Sequence, residues 1–173
     1  MLKKKIQTCR KKATSRTPDG KMPGESRSSP REIQNYLGRI SGPLLDRIDL
    51  HVEVPPVKFR EIAGDRTGET SAQIRERVVN ARRRQHERFK HKRKITCNAL
   101  MGPKELKEFC ALDETTKELL KNAMADLNLS ARAYDRILKV ARTIADLAGS
   151  EKISSDHISE AIQYRSLDRQ LWS

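Results

Sequence analysis

Residues 129–147 read LSARAYDRILKVARTIADL, and this stretch decides the fold. Apolar residues recur along it every three or four positions, a spacing that places them on one face of an α-helix. They are Ala133, Ile137, Val140, Ala141, Ile144, Leu147 and Ala148. Ser130 is a favoured N-cap residue, and Gly149 is a favoured stop. The stretch therefore predicts a capped amphipathic helix whose apolar face needs other helices to cover it.

Further helices are predicted on both sides of this one, because other apolar residues follow the same spacing. We expect helices to begin at or beside Ser71, Pro103, Asp113, Ser130, and Ser154 or Ser155. The residues expected to face inward are Ile74, Val78, Ala81 and Phe89, then Leu106, Phe109 and Cys110, then Leu119, Leu120, Ala123, Met124 and Leu127, and finally Ile158, Ala161 and Ile162. Residues 71–173 are therefore predicted to form a bundle of about five helices, with sequential helices as neighbours.

The sequence before the bundle is of a different kind. Residues 48–54, IDLHVEV, alternate apolar and polar side chains, which predicts a strand with one buried face that ends at Pro55-Pro56. A lone strand leaves its backbone groups unpaired, so we expect its partner strands to lie in sequence outside this chain. Residues 31–40 can form a short helix. Residues 1–30, a basic tail with turn signals and no periodicity, are expected to be disordered.

Positive charge is concentrated in two segments. The net charge is +13, and residues 1–30 carry nine Lys and Arg against two acids, while residues 82–94 carry eight against one. Such density favours contact with a polyanion such as DNA. The candidate phosphate-binding residues are Arg82, Arg83, Arg84, Arg88, Lys90, Lys92, Arg93 and Lys94. A solvated helix end that contacts nothing is an equally open interpretation.

Neither a metal site nor a membrane segment is predicted. His86, His91 and Cys97 are close in sequence, but they lie among repelling cations and no second Cys pair completes a zinc site. The three cysteines form no CxxC pair, which favours a reducing compartment. No apolar run approaches the roughly 20 residues that span a bilayer. We therefore expect a soluble, cytoplasmic protein without a bound metal.

Two arginines are placed where they can meet a phosphate group. Arg47 comes directly before the predicted strand in SGPLLDRIDL, where its planar guanidinium would be held at a rigid rim. From position alone, an ion pair with Asp46 or Asp49 is the competing interpretation. Arg132 falls in the first turn of its helix, where backbone N–H groups and the helix dipole favour an anion. Arg136 follows on the same side, where a solvated helix face is the alternative.

The chain resembles the C-terminal third of the ComM/YifB family of magnesium-chelatase-like AAA+ ATPases. The resemblance rests on SGPLLDRIDLHVEV, NARRRQHERF, LSARAYDRILKVARTIADL and HISEAIQYRSLDR, and it covers about residues 29–173. It implies a mainly α fold: residues 31–56 would be the end of the α/β ATPase core with one residual strand, residues 57–70 a linker, and residues 71–173 the helical lid. Residues 1–30 do not resemble the family, and we expect a frameshift, truncation or unusual start to account for them.

The resemblance also implies roles for the arginines. Arg47 matches the arginine finger, which reaches the γ-phosphate of ATP in the adjacent subunit of a ring, usually a hexamer. Arg132 matches the sensor-2 arginine, which contacts nucleotide in its own subunit, and Arg136 is a further candidate. ATP and Mg²⁺ would be the cofactors of an intact member. This chain has no GxxxxGK[ST] motif, so it is expected neither to bind them tightly nor to hydrolyse ATP alone.

Three functions fit these observations. The first is the finger and lid portion of an AAA+ ATPase that remodels DNA or drives branch migration, with neighbouring subunits and DNA as partners. The second is a stand-alone, non-enzymatic nucleic-acid-binding helical module, which the charge pattern and the missing phosphate-binding loop support. The third is a fragment of a metal-chelatase motor subunit.

Overall fold

A computed structural model of the chain describes residues 26–37, 47–52 and 68–165. The described residues fall into two compact units. Residues 26–37 belong to the first, and residues 47–52 together with 68–165 belong to the second. The second unit therefore contains every residue to which the sequence assigns a functional role.

The described part of the first unit contains one helix, α1 (Pro30–Leu37), inside the predicted range of 31–40. The carboxylate of Glu32 closes its start, because it accepts hydrogen bonds from both the backbone N–H and the hydroxyl of Ser29, each at 2.8 Å. Such a reciprocal contact pairs groups that the first turn of a helix leaves without partners. Residues 38–40 lie outside the described residues.

The described part of the second unit is a bundle of five helices. They are α2 (Ser71–Phe89), α3 (Pro103–Phe109), α4 (Glu114–Asp126), α5 (Ala131–Leu147) and α6 (Ser155–Gln163), with a 3₁₀ turn at Asn98–Leu100. Helix α5 is at its centre and packs against α2, α3, α6 and the 3₁₀ turn, while α4 packs against α6. The predicted mainly α fold and its helical bundle are thereby confirmed.

Side-chain caps set the starts of these helices. The predicted starts at Pro103, Asp113, Ser130 and Ser154 are confirmed. The first start is different, because the cap of α2 is Thr70 and Ser71 is already helical. The hydroxyl of Thr70 accepts from the N–H of Gln73 at 3.3 Å, and the Gln73 side chain accepts from the N–H of Thr70 at 2.9 Å. Thr70 is the N-cap in place of Ser71, because Gln73 lies three residues after Thr70 and completes this capping box.

The core lies between α5 and its neighbours. Ile137, Ala141 and Ala145 of α5 are fully buried, and they share one apolar cluster with Leu120 of α4 and Ile158 of α6. Leu147 and Ala148, predicted to face inward, are exposed. Burial of aliphatic side chains along α5 is the main favourable term that holds such a bundle together.

Helix α2 reaches this core only through its second half. All residues from 71 to 80 are exposed, including Ile74 at 43% and Val78 at 45%, so the prediction that these two face inward is wrong. Burial begins at Ala81 and ends at Phe89, whose ring meets that of Phe109 edge to face at 5.5 Å. The apolar periodicity of α2 correctly predicts a helix. It extends, however, over residues 71–80, where α2 has no neighbouring surface among the described residues to pack against.

The described part of the predicted strand, residues 48–52, pairs with no other described strand. One backbone bond ties it to the bundle, from the N–H of His51 to the carbonyl of Tyr164 at 2.8 Å. Leu50 and Val52, on the face predicted to be buried, are 48% and 63% exposed. The strand stays a prediction. Its last two residues, the tail before residue 26 and most of the linker lie outside the described residues.

Candidate functional site at the head of helix α5

Helix α5 begins with a capped turn that carries Arg132. The hydroxyl of Ser130 accepts a hydrogen bond from the backbone N–H of Ala133 at 3.2 Å, and the side chain of Arg132 is exposed. The first N–H groups of a helix have no partner inside the helix, and the dipole adds partial positive charge at this end. The head of α5 and the guanidinium of Arg132 together offer hydrogen-bond donors and positive charge to an anion such as a phosphate group.

Arg136, one turn further along α5, is engaged by the protein itself. Its Nη1 forms an ion pair with Oδ1 of Asp49. The side chain of Arg136 is 22% exposed, against 62% for that of Asp49. Lys139, one more turn along, donates to the carbonyl of Ala99 at 3.3 Å. The sequence makes Arg136 a candidate for nucleotide binding, and the structure joins it to the segment that carries Arg47.

Residues 47–52 are fastened to the bundle by two further contacts. The guanidinium of Arg165 donates to the carbonyl of Ile48, and the N–H of His51 donates to the carbonyl of Tyr164. Arg165 and His51 are both buried, at 1% and 8% exposure. The backbone of this short segment is therefore held at several points by residues that follow α6 and by α5.

Arg47 begins this segment and is exposed. Among the described residues, no side chain forms an ion pair or a hydrogen bond with that of Arg47. Asp49, one of the two carboxylates considered as its partner, is paired with Arg136 instead, and Asp46 lies outside the described residues. The segment thus presents the Arg47 guanidinium at the surface on a fastened backbone.

Toward the other end of α5, a buried ion network joins this helix to α2. The wholly buried carboxylate of Asp146 accepts hydrogen bonds from Nη1 of Arg88 and from Nδ2 of Asn98, each at 2.8 Å. Arg142, one turn earlier on α5, lies 3.1 Å from the same carboxylate. Its guanidinium also donates to the carbonyls of residues 150 and 151, at 2.7 Å and 2.6 Å. Each charged side chain of the network has an oppositely charged or hydrogen-bonding partner. Buried charges are tolerated when they are paired in this way.

The network sets the pKa of its carboxylate. Burial by itself would raise the pKa of Asp146, but hydrogen bonds from Arg88 and Asn98 and the positive charges of Arg88 and Arg142 outweigh it and lower the pKa. Burial is also the main reason that the pKa of Arg142 is lowered, and Asp146 opposes that change. Asp146 is therefore ionised at neutral pH and holds two arginines in place.

The basic segment of residues 82–94 is divided by the structure. Arg88 is turned into the core network, with a side chain only 14% exposed. Lys92 lies 3.0 Å from Glu108, and Lys90 pairs with Glu87 on the surface. The remaining five candidates are exposed: Arg82, Arg83, Arg84, Arg93 and Lys94. The eight predicted phosphate-binding residues are therefore not equivalent, and Arg88 is held by a buried carboxylate rather than presented to a ligand.

The residues weighed as metal ligands are not brought together. His86 and His91 are exposed and Cys97 is half-buried, and across residues 26–37, 47–52 and 68–165 no three His, Cys, Asp or Glu side chains are grouped to hold a metal. Cys110 is buried in the core, and burial raises its pKa to about 11. Its thiol is therefore protonated at neutral pH.

Two family profiles match this chain, one before residue 63 and one after residue 67. The profile of magnesium chelatase, subunit ChlI C-terminal, matches residues 68–165, which are the bundle described above. The profile of magnesium chelatase, subunit ChlI, matches residues 11–62. The chain belongs to the magnesium chelatase ChlI family. This membership makes it an AAA+ protein and confirms the resemblance drawn from the sequence.

Relatives of this magnesium chelatase-family chain are similar to it over most of its length. The competence protein ComM of Haemophilus influenzae is 46% identical over 162 residues, covering 92% of this chain and 31% of ComM. The uncharacterized protein YifB of Escherichia coli is 39% identical over 164 residues, with the same two shares. The uncharacterized protein Mb2921c of Mycobacterium bovis is 33% identical over 132 residues, covering 76% of this chain and 26% of the relative. The chain thus spans about a third of the relatives' length.

The family match also corrects one expectation. Residues 11–30 lie inside the matched range of 11–62, although the sequence analysis placed all of residues 1–30 outside the family. The basic, turn-rich composition hid a resemblance that a profile detects from residue preferences at each position. Within the described residues, no helix of this magnesium chelatase-family chain is both long and apolar enough to cross a membrane.

Sequence reasoning missed the partner of Arg136 and the polar residues of the buried network. Asp49 was considered only as a partner of Arg47, and Arg142 and Asp146 were passed over on α5. Their spacing of four residues is the signal that could have found them, since oppositely charged side chains four apart face each other on a helix. Asn98 gave no such signal, because its role depends on contacts with residues far away in the sequence.

Proposed function

We propose that this chain supplies two arginines to the ATP sites of an AAA+ ring. Arg47 serves the site of the neighbouring subunit as its arginine finger, and Arg132 serves the site of its own subunit as the sensor-2 residue. The observation that supports this proposal is that both are exposed side chains on fixed backbone within one compact unit. Arg47 starts a fastened segment, and Arg132 lies in a capped first turn.

The chemistry of phosphoryl transfer explains why arginine suits both positions. Negative charge spreads over the transferred phosphoryl group in the transition state, and a guanidinium offers positive charge and a planar set of donors. Arg47 stabilises that charge from outside the subunit that binds the nucleotide. Arg132 couples the bound nucleotide to the position of the lid. ATP and Mg²⁺ bind with a phosphate-binding loop outside this sequence, which has no such motif.

A fusion protein tests both roles. The chain is joined to ComM of Haemophilus influenzae in place of the part that it matches, and ATP hydrolysis is measured. Arg47→Ala is expected to lower kcat about 10³-fold or more, the usual effect of losing an arginine finger. Arg132→Ala is expected to raise KM for ATP, because it removes a contact with bound nucleotide.

Lys104→Ala is the matched control, since Lys104 is an exposed cation in the first turn of α3 and has no assigned role. It should leave both kinetic constants unchanged. Unchanged hydrolysis in Arg47→Ala would overturn the finger assignment. An effect of Lys104→Ala equal to that of Arg132→Ala would show that loss of any helix-end cation disturbs the lid, and would remove the sensor-2 assignment.

A second candidate activity is contact between this lid and a nucleic acid backbone. It is favoured by the five exposed cations of residues 82–94 that form no ion pair among the described residues: Arg82, Arg83, Arg84, Arg93 and Lys94. Like charges this close repel each other, and phosphate groups would relieve that repulsion. In the intact ring, hydrolysis at subunit interfaces would then drive remodelling of DNA.

Salt dependence of DNA binding measures this contact. Affinity of the 173-residue chain for duplex DNA should fall steeply between about 50 and 200 mM salt. Arg83→Ala and Lys94→Ala should each reduce the slope of log affinity against log salt by about one unit, because each removes one phosphate contact. Lys121→Ala, an exposed cation on α4 outside the basic segment, should leave the slope unchanged. An affinity for DNA that does not change with salt concentration would contradict this contact.

A further inference from the structure

Arg132 and Arg136 lie one turn apart on α5, yet they differ in exposure. Arg132 is exposed in the first turn, while Arg136 is largely covered and paired with Asp49. We infer that Arg136 is a positioning residue for the arginine finger. Through Asp49, it ties the segment that carries Arg47 to the helix that contacts the subunit's own nucleotide. The inference rests on the proposed function, which assigns Arg47 and Arg132 to ATP sites.

The described attachments of residues 47–52 have two origins. The contacts to Ile48 and His51 come from Arg165 and Tyr164, which follow α6. The ion pair with Asp49 is the attachment that comes from α5. Removal of the Arg136 guanidinium would therefore leave these two contacts in place and remove the ion pair that links the segment to α5. This division separates docking of the segment from its coupling to the sensor-2 helix.

The exposure of the pair argues for a role in orientation. Asp49 is 62% exposed, and ion pairs in such surroundings contribute little to folding stability. A charge-assisted bond between a guanidinium and a carboxylate does, however, fix direction. Because Asp49 lies two residues after Arg47, this bond limits where the finger can lie. A displacement of α5 on nucleotide exchange would then move Arg47, the finger that serves the next subunit. Such a movement would couple neighbouring ATP sites of the ring.

Hydrogen exchange in the intact 173-residue chain tests the tether itself. In Arg136→Gln, the amide of His51 is expected to exchange at least about threefold faster than in the unmodified chain, since one restraint on its segment is lost. The amide of Ala141 in the centre of α5 should keep its protection, which shows that the bundle is folded. Asp49→Asn removes the same ion pair from the exposed side and should act alike. Unchanged exchange of His51 in both variants would overturn the tether.

Kinetics of the ComM fusion test the positioning role. Arg136→Gln should lower kcat at least about tenfold without raising KM for ATP. A misplaced finger stabilises the transition state less well, but it leaves substrate binding unchanged. Exchange of the two charges, in Arg136→Asp with Asp49→Arg, should restore part of kcat. Lys139→Gln is the control, since Lys139 contacts Ala99 and no residue of the finger segment.

The outcomes separate the inference from the proposed function. A raised KM with unchanged kcat in Arg136→Gln would show that Arg136 binds nucleotide directly, and unchanged constants would show that the pair has no kinetic role; either result overturns the inference. If Arg47→Ala leaves hydrolysis unchanged, the proposed function fails, while hydrogen exchange at His51 still decides whether Arg136 holds the segment.

Discussion

Among single residues, Asp146 carries the charge balance of the buried interior. It is the one carboxylate among the described residues that neutralises both Arg88 and Arg142, and its side chain is wholly buried. The gain from such a network is modest when it is complete, because desolvation of the charges offsets their attraction. The cost of breaking it is large, because the charges left behind stay buried without a partner.

Asp146→Ala is therefore expected to lower the free energy of unfolding by about 3–5 kcal/mol. Urea denaturation of the 173-residue chain measures the change. Asp126→Ala, which removes an exposed carboxylate from the last turn of α4, should cost less than about 0.5 kcal/mol. If the two variants unfold at the same urea concentration, Asp146 does not hold the network together.

Sequence position identifies some of the important charged residues but not their partners. Arg47 and Arg132 were singled out from their positions, before a strand and at a helix start, and the structure leaves both exposed. The partners of Arg88 and Arg136 were not foreseen. Both bonds join residues far apart in the chain, and charged residues in an amphipathic pattern are ordinarily read as solvent-facing.

At the scale of the helix, Gly149 ends α5 in a conformation that other residues resist. Its φ is +75°, in the left-handed region where a Cβ atom is strained. The N–H of Gly149 donates to the carbonyl of Asp146 at 3.2 Å, and the N–H of Ser150 donates to that of Ala145 at 2.8 Å. These bonds pair the carbonyls that a helix end leaves free, and they lead the chain directly to the carbonyls that Arg142 binds.

Gly149→Ala is expected to destabilise the bundle by about 1–2 kcal/mol, the usual penalty for a side chain in this conformation. The added methyl group would itself fit, because the nearest atom is Nη2 of Arg84 at 3.5 Å, so the penalty comes from the backbone. Gly68→Ala is the matched control, with open space around it and no positive φ. Thermal unfolding compares the two, and equal melting temperatures would contradict a left-handed stop at Gly149.

The helices themselves follow from local signals, and their packing follows only in part. Caps at Asp113 and Ser130 and the proline at position 103 gave the right starts, because capping depends on residues three positions apart. The inward face of α2 was wrong at Ile74 and Val78. Periodicity shows which residues share a face, but it cannot show where the neighbouring surface ends.

For the whole molecule, the important arrangement is that residues 47–52 and the helical bundle of residues 68–165 form one compact unit. Residues 47–52 are joined to residues 68–165 although the intervening stretch is long. The resemblance drawn from the sequence assigns residues 31–56 to the end of the ATPase core. Hydrogen bonds to Tyr164 and from Arg165 also bind residues 47–52 to the end of the bundle. Contacts between such distant residues do not appear in local patterns.

In the proposed function, this arrangement would let one subunit offer Arg47 to its neighbour while its own lid follows its own nucleotide. The charged surface of α2 lies in the same unit, and α2 is joined to α5 by the network around Asp146. A motion of α5 therefore has physical routes both to the finger and to the surface proposed to meet DNA. Coupling of this kind needs a rigid connection between the two elements, and the buried network supplies one.

Mixing of two inactive fusion proteins tests the central claim most directly. One carries Arg47→Ala, and the other retains Arg47 but has a substitution of the lysine in the phosphate-binding loop of its ComM portion. If Arg47 acts in trans, rings assembled from both should hydrolyse ATP well above the sum of the separate rates, because some sites combine an intact loop with a neighbour's Arg47. Hydrolysis no greater than that sum would contradict an arginine finger at position 47.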